Sequence, residues 1–188
     1  MTTPRIEKVG LVFHLSEVGD WALSAALQVA RARHTALNVY YFLQSPYDVP
    51  YDVAPADLAT PTYDGATLTQ EERKLREYFE DRLGDFDDVR FRVCESGRHN
   101  QELRRCLLHH EYQLLVIPCP RQRANFGNMT VEEFAYRFAS PVMLVGPERP
   151  DHVRLNAFAS VMDGSNALLV GPWQPIAEPN VLQTRPVL

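Results

Sequence analysis

The residues able to do chemistry cluster in one part of this chain. Arg121 and Arg123 lie in a polar loop just ahead of a helix start, where guanidinium groups and the positive end of a helix could grip an oxyanion. Cys119 stands between two prolines beside those arginines, a setting in which nearby cations could lower a thiol pKa. His109 and His110 are neighbours, and His14 closes an apolar run that could face the same loop. Each has a plainer reading. Thr130 already caps the helix, so the arginines are more simply solvated loop residues. A single cysteine at a strand end is more often an inert small residue than a nucleophile. Adjacent histidines point apart on a helix, and a contact with the helix C-terminus explains them better than a metal does. His14 reads as a partly buried structural histidine. No Ser-His-Asp arrangement and no metal-ligand spacing presents itself, so the expectation is a chain that is not an enzyme.

The elements that must position these residues can be read from periodicity. Leu114, Leu115, Val116 and Ile117 form an unbroken apolar run, as expected of a strand buried on both faces of a parallel sheet. Pro118-Cys119-Pro120 stops it. Thr130-x-x-Glu133 is a capping box, Met129 can staple to Phe134, and Val131, Phe134, Ala135 and Phe138 make one helical stripe. Pro141 ends that helix, and Val142, Met143, Leu144 and Val145 form the next buried strand. The unit is strand, polar loop, helix, strand. Its loop opens at the carboxyl end of a strand, where open α/β sheets bind ligands.

Upstream, residues 9–15 read as a first strand and residues 37–43 as a second, with a helix between them capped by Ser16 or Asp20. Residues 44–68 hold four prolines and no sustained period, so they read as a long excursion. Thr69-x-x-Glu72 looks like a second capping box, opening a helix with Leu75, Tyr78, Phe79 and Leu83 on its stripe and Gly84 as its stop. Residues 89–94 alternate like a half-exposed strand, and a further helix carries Leu103, Cys106, Leu107 and His110 on one side. The fold class expected is α/β: a Rossmann-like five-stranded parallel sheet with helices on both faces, over residues 1–147. Residues 148–188 read as a C-terminal extension. It begins with a linker, continues as a hairpin over residues 156–171 turning at Asp163-Gly164-Ser165-Asn166, and ends in a proline-rich stretch.

Composition narrows the function classes. A net charge of −5 and a pI near 5.7 argue against a nucleic-acid footprint. No apolar run approaches the roughly 20 residues needed to span a bilayer, and the first residues lack a signal-peptide core. Cys94, Cys106 and Cys119 are irregularly spaced and odd in number, which speaks against a disulfide framework. A cytoplasmic protein is expected.

Three strings in this order resemble the universal stress protein family. FHLSEVGDWAL is similar to that family's first strand and helix start, close to VDGSEXSXXAL. Gly97-x-His99-x-x-x-Leu103 followed by QLLVIP resembles its GxPxxxI opening and DLIVMG strand, and PVMLVG resembles its closing PVLVV strand. The resemblance covers residues 5–147. It implies a Rossmann-like sheet, dimers through the last strand (Val142, Met143, Leu144, Val145) and regulatory or stress-adaptation roles. Members of the family that bind ATP carry GxxG and a later G-S/T after the fourth strand. Here Pro118 and Arg121 stand at the first pair, Asn128 and Met129 at the second, and His14 at the adenine-side aspartate. A backbone nest for phosphate needs residues free to adopt φ > 0, and proline lacks even the N–H.

The expectation is therefore a regulatory or adaptor homodimer acting through protein contacts, without a cofactor and without ATP binding in the family manner. The alternative is a sensor holding an adenine nucleotide or another anion in the cleft through His14, Tyr40, Pro118, Arg121, Arg123, Asn128 and Thr130. A further protein partner could be met by the C-terminal extension or the 44–68 loop. The extension is too apolar to stay solvated and must dock on its own sheet edge, on the neighbouring subunit or on a separate partner protein, of which the neighbouring subunit is the favoured expectation.

Overall fold

The computed structural model describes residues 6–49, 62–95, 97–121, 123–146, 157–162 and 165–170, the last two as backbone only. The elements in order are β1 (Lys8–Phe13), α1 (Glu17–Arg33), β2 (Ala36–Phe42), α2 (Gly65–Leu83), β3 (Val89–Cys94), α3 (His99–Leu108), β4 (Leu114–Pro118), β5 (Asn125–Phe126), β6 (Met129–Thr130), α4 (Val131–Arg137), β7 (Val142–Gly146), β8 (Ala157–Met162) and β9 (Ser165–Val170).

The apolar runs are strands because both faces of the sheet are covered. The main sheet runs β3-β2-β1-β4-β7-β9-β8. Its first five strands are parallel, with Leu11 opposite Val39 and Val116, and Ile117 opposite Leu144. One face packs on α1 and α2 through Leu11, Phe13, Leu23, Ala26, Leu75 and Phe79. The other packs on α3 and α4 through Val12, Leu103, Leu115, Ile117, Phe134 and Phe138. The five-stranded α/β architecture is thus the expected one.

Local signals decide most boundaries. Ser16 caps α1, its hydroxyl accepting from the Gly19 amide at 3.1 Å. Gly19 has to be glycine, since a Cβ there would lie 1.8 Å from the His14 carbonyl oxygen. Thr130 and Glu133 form the reciprocal capping box of α4. The second expected box is not used. Asp64 caps α2 one turn earlier, accepting from the Thr67 amide at 2.7 Å, and Thr69 lies inside the helix with its hydroxyl donating to the Gly65 carbonyl at 2.8 Å. An aspartate is as good a cap as threonine, and the extra turn continues the helix. His110 is not on the α3 stripe either. The helix ends at Leu108, and His110 is exposed with φ 55°.

The hairpin of the C-terminal extension is present, on its own sheet edge rather than in the favoured place on a neighbouring subunit. β9 pairs antiparallel with β7, Leu144 opposite Leu168, and β8 pairs outside β9 with Met162 opposite Ser165. It continues the sheet of its own chain. The edge on which dimerisation through Val142, Met143, Leu144 and Val145 rested is therefore occupied. The side chains of the four are also committed, at 0%, 6%, 0% and 0% exposure, alternating between the two cores. Ser165 and Asn166, expected in the turn, belong to β9. Asp163 and Gly164, residues 50–61, the linker and the proline-rich end lie outside the described residues.

Candidate functional site

In strand order, β1 and β4 are neighbours whose chains leave in opposite directions, β1 toward β2 and β4 toward β7. That is the switch point at which a crevice opens beyond the carboxyl ends of the strands. Here a side chain fills it. Tyr47, from the segment after β2, places its ring 5.3 Å from that of His14 and 5.6 Å from that of Phe126, edge to face in both cases. Its hydroxyl donates to the Pro118 carbonyl at 2.6 Å. Tyr47 thus bridges the residue after β1 and the last residue of β4. Burial first, and the neighbouring Cys119 second, push its phenol pKa well above the ordinary value.

The segment carrying Tyr47 is stitched in place by polar bonds. Ser45 accepts from the amides of Tyr47 and Asp48, through its hydroxyl at 3.3 Å and its carbonyl at 3.2 Å. The Gly127 amide donates to the Pro46 carbonyl at 2.7 Å, and Asn125 Nδ2 donates to the Val49 carbonyl at 3.1 Å. Val49 is fully buried. Residues 45–49 therefore close over the β5–β6 turn.

The loop from Cys119 to Thr130 has the same self-satisfied character. Gly127 adopts φ 64°, and Arg123, at φ 54°, shares the left-handed region without being glycine. The Arg123 amide donates to Glu132 Oε1 at 2.8 Å, Ala124 to the Arg121 carbonyl at 3.3 Å, and Val131 to the Ala124 carbonyl at 2.9 Å. The Thr130 amide donates to Glu133 Oε2 at 3.1 Å, and Cys119 to the Val145 carbonyl at 2.7 Å. The amides of Cys119, Arg123, Ala124, Thr130 and Val131 are thus bonded to protein oxygens and not free to cradle a phosphate. Glu132, only 8% exposed, and Glu133 occupy the first turn of α4. Carboxylates there complement the helix dipole and repel a second anion.

The sequence candidates therefore divide. His14 and Pro118 meet, but around Tyr47 rather than around an open cleft. Arg121 and Arg123 have exposed side chains, Thr130 serves as a cap, and Asn128 Oδ1 accepts from Asn100 Nδ2 at 3.3 Å. Tyr40 does not belong to the crevice. Its ring is buried and its hydroxyl donates to Glu111 Oε2 at 3.0 Å, just ahead of the amino end of β4. Arg92 Nη1 reaches both oxygens of Glu111 at 2.8 Å, and Asn38 Nδ2 donates to the Glu111 carbonyl. Burial pushes the Tyr40 phenol upward, helped by Cys106 and Glu111. For Glu111 burial acts upward as well, but hydrogen bonds from Arg92 and Tyr40 outweigh it and hold the carboxyl below its usual range. The strand alternation that puts Tyr40 in the α3 and α4 core, and the reach of its phenol, direct it to this ion pair. Cys119 is buried, its thiol donating to the Arg121 carbonyl at 3.4 Å. His109 and His110 are exposed beyond α3. Among the described residues no group of three His, Cys, Asp or Glu could hold a metal ion.

Sequence reasoning missed Tyr47, Glu132 and the polar side of His99. An aromatic set among prolines directly after a strand was the available signal for Tyr47. Glu132, next to the box residue Glu133, carried no signal of its own.

Fold and site together define an α/β domain with a parallel sheet whose switch-point crevice is filled from within. No known family profile and no curated protein matches the chain. Among solved structures it is similar to a universal stress protein from Archaeoglobus fulgidus, at 15% identity and TM-score 0.49 over 73% of this chain and 90% of that one. It is also similar to a universal stress protein family member from Burkholderia pseudomallei, at 20% identity and TM-score 0.42 over 63% and 85% of the two chains. A macrolide-efflux protein from Streptococcus pneumoniae is similar at 19% identity and TM-score 0.43, over 80% of this chain and 49% of that one. No helix among the described residues is long and apolar enough to cross a membrane.

Proposed function

We propose that this chain is a universal-stress-protein-like regulatory module that works through protein contacts as a homodimer and does not bind ATP in the crevice between β1 and β4. Tyr47 carries the reading. A nucleotide base or phosphate entering there must displace a ring held by two aromatic neighbours and a hydroxyl bonded to Pro118. It would then meet amides already bonded and two carboxylates in the first turn of α4. The module is not an enzyme on this reading, since the same crevice offers no open position for a substrate.

With β7 covered by β9, the edges of the sheet among the described residues are β3 and β8. β3 carries Arg90 and Arg92, and charges on an edge strand discourage pairing. β8 has the uncharged sequence AFASVM and is the strand through which two copies would pair. Native mass spectrometry of freshly purified protein tests both halves of the proposal. A dimer without bound nucleotide is the expected spectrum. A monomer at micromolar concentration, or a mass increment matching ATP, overturns the corresponding half.

A further inference from the structure

The segment that closes the crevice is also held from α3, just ahead of Ser45. His99, the first residue of α3, is 1% exposed and has Nε2 at 2.7 Å from the Gln44 carbonyl oxygen. A carbonyl only accepts, so Nε2 carries the proton of this contact. The ring meets Phe42, the last residue of β2, edge to face with centroids 4.8 Å apart. His99 thus grips the chain where it leaves the sheet and turns toward Tyr47.

A second proton has no place on this ring. Nδ1 is buried and has no hydrogen-bond partner. The charged residues lining the cavity at the start of α3 are Arg98 and Arg104, both cations. Glu102, further along α3, is engaged by Arg105. From the surrounding elements, β3 brings Cys94, whose carbonyl accepts from the Leu43 amide at 3.0 Å, and Glu95 just beyond it. The crevice segment brings Tyr47 and an exposed Asp48, and the β5–β6 turn brings the uncharged Gly127 and Asn128. Burial pushes the Cys94 thiol upward, so it stays neutral. Burial lowers the His99 pKa and the Gln44 bond opposes it less strongly, so the ring is neutral when held.

We infer that His99 is a proton-sensitive latch: with one proton it holds the Gln44 carbonyl and keeps Tyr47 in the crevice, and with two it lets residues 44–49 leave. Such a latch presupposes that Tyr47 fills the crevice, the reading on which the proposed function rests. Protonation places an imidazolium in a buried site, beside two arginines and with one N–H unmet. Withdrawal of residues 44–49 opens the ring to water, which solvates the cation. A hydrated ring takes its second proton near pH 6.5 and the buried one takes it lower. Closure is therefore undisturbed above about pH 6.5 and weakens as pH falls below it. The bonds that give way are those from Gly127 to Pro46, from Asn125 to Val49 and from Tyr47 to Pro118.

Hydrogen exchange of the unmodified, full-length chain, followed by NMR, reads the latch at the Gly127 amide, which donates to the Pro46 carbonyl at 2.7 Å. Between about pH 7.5 and about pH 5.5 its protection factor should fall about tenfold, the ratio set by a ring that protonates near pH 6.5 when released and not when held. Leu115 and Ile117 of β4 should keep their protection, since the opening is local. His99→Gln keeps a donor for the Gln44 carbonyl but does not titrate, and should show no fall at Gly127. The imidazole signals of His99 in the unmodified chain, which serve should that variant not fold, should change only as Gly127 loses protection. A Gly127 protection factor independent of pH, an equal fall in His99→Gln, or a parallel fall at Leu115 and Ile117 would each overturn the latch. So would a His99 ring that titrates near pH 6.5 while Gly127 stays protected. A Gly127 amide unprotected already at about pH 7.5 would overturn the closed crevice itself, and the latch with it.

Discussion

Replacing Tyr47 by Phe and then by Ala separates the two ways in which this residue closes the crevice. Phe keeps the ring but removes the hydroxyl that donates to the Pro118 carbonyl at 2.6 Å. A net hydrogen bond is worth about 1 kcal/mol, and a sequestered carbonyl left unpaired raises the loss to about 2 kcal/mol. Ala also removes the edge-to-face contacts with His14 and Phe126. Such pairs contribute about 0.5–1.5 kcal/mol each. Truncating a fully buried aromatic costs about 3–5 kcal/mol, and Tyr47 is half-buried, so about 3 kcal/mol in all is expected for Ala. For a chain of this length about 1 kcal/mol moves the melting temperature by about 2–4 °C. Phe should therefore lower it by about 4–8 °C and Ala by about 6–12 °C. Urea unfolding at pH 7, followed by circular dichroism, reads the same quantities as midpoint shifts. A Tyr47→Phe variant as stable as the unmodified chain would show that the hydroxyl does not hold the segment. Equal stability of the Ala variant would show that Tyr47 does not fill the crevice at all.

Other perturbations follow from the same contacts. Gly127→Ala, forced to keep φ 64°, should lose about 1–2 kcal/mol by urea unfolding, because an L side chain is strained there. Glu111 has a folded pKa below its unfolded value, so its stabilising effect is fully present above about pH 4.3 and fades as pH falls through the lower folded value. The stability gap between the unmodified chain and Glu111→Gln should accordingly close on acidification, and a gap independent of pH would refute the ion pair with Arg92. Tyr40, Tyr47 and Tyr112 have raised pKa values, each chiefly through burial. Stability should hold below about pH 10 and fall above it, as the unfolded phenols ionise first, and Tyr47→Phe should reduce that fall. Val145→Lys should unfold the chain rather than yield folded monomers, since the position is fully buried against α1. A soluble, folded monomer from that variant would restore β7 as a subunit contact.

Much of the fold was legible because its signals are local. Runs such as LLVIP and VMLVG mark strands covered on both faces, and the box at Thr130 and Glu133 marks the start of α4. The strands of the C-terminal hairpin were readable for the same reason. Their docking was not, because pairing between β7 and β9 depends on which edge is free, and periodicity carries no information about edges. The α2 start was misplaced since Asp64 and Thr69 are both competent caps and only tertiary packing chooses. At the site, His14 and Pro118 were placed at the correct strand ends. Tyr40 was not, because its partner Glu111 lies 71 positions away in the sequence and no local pattern links them. Tyr47 was hidden for the complementary reason. It sits in a segment without periodicity, where only its contacts with Pro118, His14 and Phe126 give it a role.

The closed crevice is tested most directly by calorimetric titration of the unmodified, full-length chain with ATP and magnesium. The arrangement of Tyr47, the bonded loop amides and the first-turn carboxylates predicts no saturable heat up to about millimolar ATP, where an affinity of about −4 kcal/mol would already register. Micromolar binding that is lost on replacing Tyr47, Gly127 or Arg123 would contradict it, since the nucleotide would then occupy the space that Tyr47 fills.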